Sequence, residues 1–190
     1  KMNCWIFVVT FVLLFHVGHG LEVCSWTQGP SSIGIGKHLV PESGCTMSQK
    51  MSVAVVVTIN GEIGMHRELE AKHDVGKKRH FHLLSGKLTL NYLKLTWGQV
   101  DDSNHAGGFI HITSGTLAIN WVHFDGSKTG SNARNGGCIY VWDGTVTIKE
   151  STFEGFRAGY GGAIYVGKTS TPMTIESTTF KNNEATVRFV

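Results

Sequence analysis

Two imidazoles and two phenols recur at one position of a repeated pattern. His82, His111, Tyr140 and Tyr165 follow one another at intervals of 29, 29 and 25 residues, and His80, Phe109, Cys138 and Ala163 run beside them at the same intervals. If the period is structural, the rings form a column along one face of the protein. A row of rings can stack on sugar rings, and Phe109 belongs to the same candidate ligand surface. The competing reading is an aromatic ladder that merely fits a pleated sheet, where cross-strand pairs add roughly 0.2–1 kcal/mol each. The histidines also invite a metal, because His80 and His82 share a strand side and His111 lies one repeat further on. No carboxylate or thiolate completes that set, so no metal and no other cofactor is expected.

Cleavage of a polysaccharide would need carboxylates. An inverting glycosidase holds an acid and a base about 6.5–9.5 Å apart, and a lyase needs calcium-binding acids with a basic residue. Asp125 and Glu154 align at an interval of 29, with Lys181 next in their column, and Lys149 aligns with Glu176 in another. Those are the arrangements of surface charge ladders. Asp101 and Asp102 sit in a polar turn without aligned partners. No acid cluster with a matching arginine gathers on one face, and no catalytic residue is assigned.

The elements that must position these residues follow from the same interval. Phe109–Ile119 recurs as Cys138–Ile148, and the same step backward reaches His80–Leu90. A fourth unit begins at Ala163, and two residues are added around 169–172, where a turn can absorb them. Within a unit the apolar residues come in alternating pairs: Ile110 and Ile112, Leu117 and Ile119, Val122 and Phe124. Alternation at period two predicts strands, and three short strands per unit separated by Gly, Ser or Asn predict a triangular rung. A rung cannot bury its inward side chains alone, so rungs must stack at about 4.8 Å into an all-β, parallel β-helix. Gly107-Gly108, Gly136-Gly137 and Gly161-Gly162 each precede a strand and are read as corners, where the chain turns sharply and packs closely on its neighbour.

Gly161-Gly162-Ala163-Ile164, followed by Phe180-Lys181-Asn182-Asn183, resembles the GGAI and FxxN repeats of chlamydial polymorphic outer membrane proteins. Related right-handed β-helix proteins occur in algae, protists and bacteria, and the wider architecture is that of the pectate-lyase-like superfamily. The resemblance covers about residues 80 to 190 and weakens upstream. Phe153 to Phe156 departs from it, with Gly155 and Phe156 where Asn is usual. The resemblance implies a right-handed solenoid; it carries little about biochemistry, since such repeats serve adhesins and autotransporter passengers alike.

The expected organisation is a signal peptide over 1–20, an N-terminal cap over 21–51 and irregular first rungs over 52–79. Rungs then follow over 80–106, 107–135, 136–160 and 161–190. The apolar run from Trp5 to Phe15, followed by Gly18 and Gly20, carries the signal reading, and it is too short to span a bilayer. In a secreted chain Cys24 and Cys45 are candidates for a disulfide closing the cap, with Cys138 left unpaired; three free thiols are the alternative. The last segment, ending on an apolar strand, reads as an open edge, so the chain is expected to continue or to associate end to end.

Twenty-four glycines against three prolines fit many tight turns. A formal charge of +3 with scattered basic residues excludes a nucleic-acid footprint. Two functions lead, with a self-assembling structural protein, suggested by the open end, as a third. One is a non-catalytic, secreted or cell-surface protein, adhesin-like, that presents its ladders to glycans or cell-surface proteins. The other is a polysaccharide lyase or glycoside hydrolase.

Overall fold

The computed structural model describes residues 22–23, 36–42, 44–47, 50–70, 79–99, 106–127, 133–168 and 172–186. Every regular element among them is a β-strand, and the strands stack in parallel as a solenoid of about four turns. The expected signal peptide lies outside the described residues. Among the described residues no helix is long and apolar enough to cross a membrane.

The first face is a five-stranded sheet built from Met51–Val53, Phe81–Leu83, Ile110–Ile112, Ile139–Val141 and Ile164–Val166. The second and third faces are not separate strands in every rung. In two rungs they run as one ten-residue strand, Lys87–Thr96 and Thr116–Asp125, bent in the middle at Tyr92 and Trp121. Later rungs divide them, into Thr145–Lys149 with Thr152–Glu154 and into Met173–Glu176 with Thr179–Lys181. A short fourth strand completes the return in the last rungs: Ala133–Asn135, Arg157–Tyr160 and Glu184–Ala185.

The register is the one the interval dictates: Leu88, Leu117, Val146 and Met173 align, as do Leu95, Phe124, Phe153 and Phe180. Leu88, Leu90, Leu93 and Leu95 are fully buried, with Lys87, Thr89 and Lys94 outside, which is the period-two pattern made physical. Burying each such side chain contributes about 1.5–3 kcal/mol. Phe124 and Phe153 stack at 4.6 Å inside the core, and Phe180 continues the column at 5.0 Å from Phe153 as an exposed ring in the last rung. Asn183 of the FxxN segment accepts from the Phe156 amide and donates to the Phe153 carbonyl, closing the turn of the rung before it. Phe156, which replaces that Asn one rung earlier, turns inward instead and meets Phe109 edge-on at 5.1 Å.

The two glycines of each corner divide the work. Gly136 has φ 63°, and a Cβ there would lie 2.1 Å from the Ile139 carbonyl oxygen of its own turn. Gly137 has no such φ; a Cβ there would lie 2.2 Å from the Gly162 carbonyl oxygen of the next rung, which accepts from its amide. The first glycine makes the turn, and the second admits the neighbouring rung.

Regular stacking reaches further toward the N-terminus than the 29-residue interval shows. Met51–Val53, Val56–Asn60 and Arg67–Glu70 pair in register with the rung of residues 81–96, at intervals that differ from strand to strand. Gly36–Leu39 pairs with Val57–Asn60, and Glu22–Val23, Cys45–Thr46 and Leu69–Glu70 follow one another. Cys45 is disulfide-bonded, Cys138 is free and buried, and Cys24 lies outside the described residues.

Asn60, Asn91 and Asn120 hold the bend between the second and third faces. The Asn91 side-chain amide donates to the Asn60 carboxamide oxygen at 2.7 Å, and the Asn120 amide to that of Asn91 at 2.8 Å.

Candidate functional site

The first face carries the column expected from the interval. Backbone pairing places His82 against His111, His111 against Tyr140 and Tyr140 against Tyr165. The ring centroids are 4.7, 5.0 and 5.7 Å apart. His82 and His111 stack, as do Tyr140 and Tyr165, whereas His111 meets Tyr140 edge-on.

That geometry changes what the column can do. Within each stacked pair the rings cover one another's inner faces, so the column offers mainly edges, the phenol hydroxyls among them; His111 is itself buried, with its Nδ1 away from solvent. Those edges offer hydrogen bonds and not platforms. The Tyr140 hydroxyl is held protonated more firmly than usual, by partial burial and then by Tyr165 beside it, and stays a donor across the physiological range.

The neighbouring column is different. Phe109 is fully buried, stacked on His80 at 4.8 Å and edge-on to Phe124 at 6.2 Å, so its expected place on the ligand surface is corrected: it belongs to the core. His80, Cys138 and Ala163 are buried with it. Strict alternation would have put all four outside with His82, but the corner rotates the chain just before the strand. His80 therefore bonds the Leu69 carbonyl at 3.1 Å inside the protein, and the three-histidine juxtaposition of His80, His82 and His111 on one surface does not form. Among the described residues, no three of His, Cys, Asp and Glu are arranged to hold a metal ion.

His82, His111 and Tyr140 form the floor of an open groove of about 490 Å³. One wall is Thr113 and Trp142, the other Ala106 and Asn135. Sequence reasoning missed both walls, although the signal was present. Leu84, Thr113, Trp142 and Gly167 repeat at the intervals of the histidine column, as do Ala106, Asn135 and Tyr160. Trp142 is 54 % exposed. Gly167, one rung beyond it, would carry a Cβ 3.2 Å from the indole and 3.1 Å from the Tyr140 hydroxyl. Glycine there leaves both reachable. Asp143 and Lys168 pair at 2.7 Å beside the groove, and the Lys168 hydrogen bond, then the Gly144 amide, hold Asp143 below the usual carboxylate range. No carboxylate among the described residues lines the groove itself.

Asp125 and Glu154 align on the third face as the interval requires. Lys94 approaches Asp125 at 3.8 Å, while His123 and Lys181 approach Glu154 at 3.7 and 2.9 Å. Burial works to raise the Asp125 pKa, but the Ser127 hydroxyl and amide, with Lys94 and His123, outweigh it and keep the group ionised. Lys149 and Glu176 pair at 2.8 Å. Held ionised in this way, Asp125 is a poor proton donor to a leaving group.

Compared with protein-family models, with curated proteins and with solved structures, the chain matches none of them.

Proposed function

We propose that this chain is a non-catalytic, secreted or cell-surface β-solenoid that binds glycans, in the manner of an adhesin, through the groove on its first face. The observation that carries the reading is the pairing of one exposed indole, Trp142, with a floor of hydrogen-bonding edges from His82, His111 and Tyr140. Sugars are held by that combination: an apolar ring face receives the C–H side of a pyranose, and side-chain donors and acceptors receive its hydroxyls. The absence of a side chain at Gly167 supports it, because any other residue would crowd the platform. The resemblance to polymorphic outer membrane protein repeats supports the surface location and nothing finer.

The alternative, a polysaccharide lyase or hydrolase, would draw on Asp125 and Glu154, and their ion pairs argue against it. The test is to incubate the protein with neutral and acidic polysaccharides and record both retention and new reducing or unsaturated ends. Retention without new ends is expected, weakened about tenfold by Trp142→Ala, which corresponds to about 1.4 kcal/mol. New ends would overturn the non-catalytic reading, and absence of retention on every polysaccharide would overturn glycan binding.

A further inference from the structure

Trp121 lies away from the groove, at the corner between the second and third faces. Its backbone is left-handed, with φ 51°, and so is that of Tyr92 one rung before it, with φ 54°. Bulky side chains enter that region only against steric resistance. The corner itself does not demand aromatic residues, because Glu150 and Ser177 occupy it in the following rungs with φ 48° and 46°.

The two rings lie parallel, 5.1 Å apart and inclined by 12°. Trp121 is 45 % exposed and is not packed into the core. Rings stacked from rung to rung turn their faces along the solenoid axis. Tyr92 covers one face of the indole, and the opposite face looks toward the next rung, whose corner residue is Glu150, an exposed acid. Among the described residues the Glu150 carboxylate has no ion pair. Its neighbour Lys149 is already held by Glu176 at 2.8 Å.

An electron-rich ring face with an uncommitted carboxylate one rung beyond it suits a cation. Of the two common cationic groups, guanidinium fits better: it is flat, stacks on an indole and offers paired N–H donors to a carboxylate, whereas ammonium supplies a point charge. We propose that Tyr92, Trp121 and Glu150 form a guanidinium-binding corner that takes an arginine side chain of a protein partner. The site is independent of the glycan-binding groove. The formal charge of +3 gives no general attraction for a basic ligand, so the binding must come from this local arrangement.

The experiment titrates the whole protein at low salt with a capped tri-arginine peptide and, separately, with its tri-lysine counterpart, following the tryptophan indole N–H resonances. One resonance, absent from the spectrum of Trp121→Ala, is expected to move with the arginine peptide. Glu150→Gln is expected to weaken that binding on the order of fivefold, and tri-lysine to bind several-fold more weakly. Glu150 is exposed and outside the core, so its isosteric variant decides the matter even if Trp121→Ala folds poorly. Undiminished binding by Glu150→Gln, equal binding of tri-lysine, or no movement of any indole resonance at millimolar peptide would each overturn the proposal.

Discussion

Thr113 Oγ1 and His82 Nε2 lie 2.9 Å apart, hydrogen-bonded from one rung to the next. His82 is stacked on His111 at the same time, so its imidazole is fixed by a ring on one side and a hydroxyl on the other. The groove floor is therefore set by contacts between rungs and not within one. A substitution in one rung should be felt in its neighbour.

Thr113→Val keeps the shape of the side chain and removes the hydroxyl. Loss of one such hydrogen bond is worth about 0.5–1.5 kcal/mol. The expected outcome is a shifted His82 ring-nitrogen resonance and glycan retention reduced by about threefold to tenfold, with little change in the thermal midpoint. Unchanged retention alongside a shifted resonance would remove the groove floor from the binding surface.

Two glycines with left-handed φ, Gly64 in a surface turn and Gly136 at a corner, predict a graded stability series. Gly64 has φ 81° and open space around it, so Gly64→Ala meets only the backbone cost, about 1 kcal/mol. Gly136→Ala adds a clash with the Ile139 carbonyl oxygen and should cost about 3 kcal/mol or more. Denaturant midpoints check the order; equal effects would mean that the corner relaxes freely.

Asp125 links stability to pH. Its carboxyl titrates lower in the folded protein than in the unfolded chain, so the folded state is favoured while the group is ionised. That contribution is fully present above the unfolded carboxyl range, near pH 4, and is lost as pH falls through the lower folded value. Asp125→Asn should lower stability at pH 7 and flatten the acid limb of the stability profile below about pH 4. Urea unfolding of both proteins from neutral pH to pH 2.5 measures this, and parallel acid limbs would contradict it.

Cys138 should be inert to aqueous thiol reagents while the protein is folded. Its side chain is fully buried, and burial pushes its pKa well above the ordinary thiol value, so little thiolate forms. Modification is expected only as fast as the rungs open, and to become immediate in denaturant. Rapid labelling of the native protein would show that the stack opens locally around residues 138–141.

The sequence by itself determined the stacking. A constant interval places Leu88, Leu117 and Val146 in one column, because only like-on-like contact buries a rung's inward side chains, and period-two alternation fixes which residues face inward along each strand. It also determined that His82, His111, Tyr140 and Tyr165 share a column, since register carries from rung to rung through the backbone ladder. Tertiary structure decided the rest. Alternation fails at corners, where the turn sends His80 and Phe109 into the core although their strand parity matches His82. The early strands at 51–70 keep register through turns of unequal length, so no single interval reveals them. What covers a ring depends on the residue one rung away: His111 lies over His82 and Trp121 over Tyr92, whereas the residue one rung beyond Trp142 is Gly167, which has no side chain to lay on the indole.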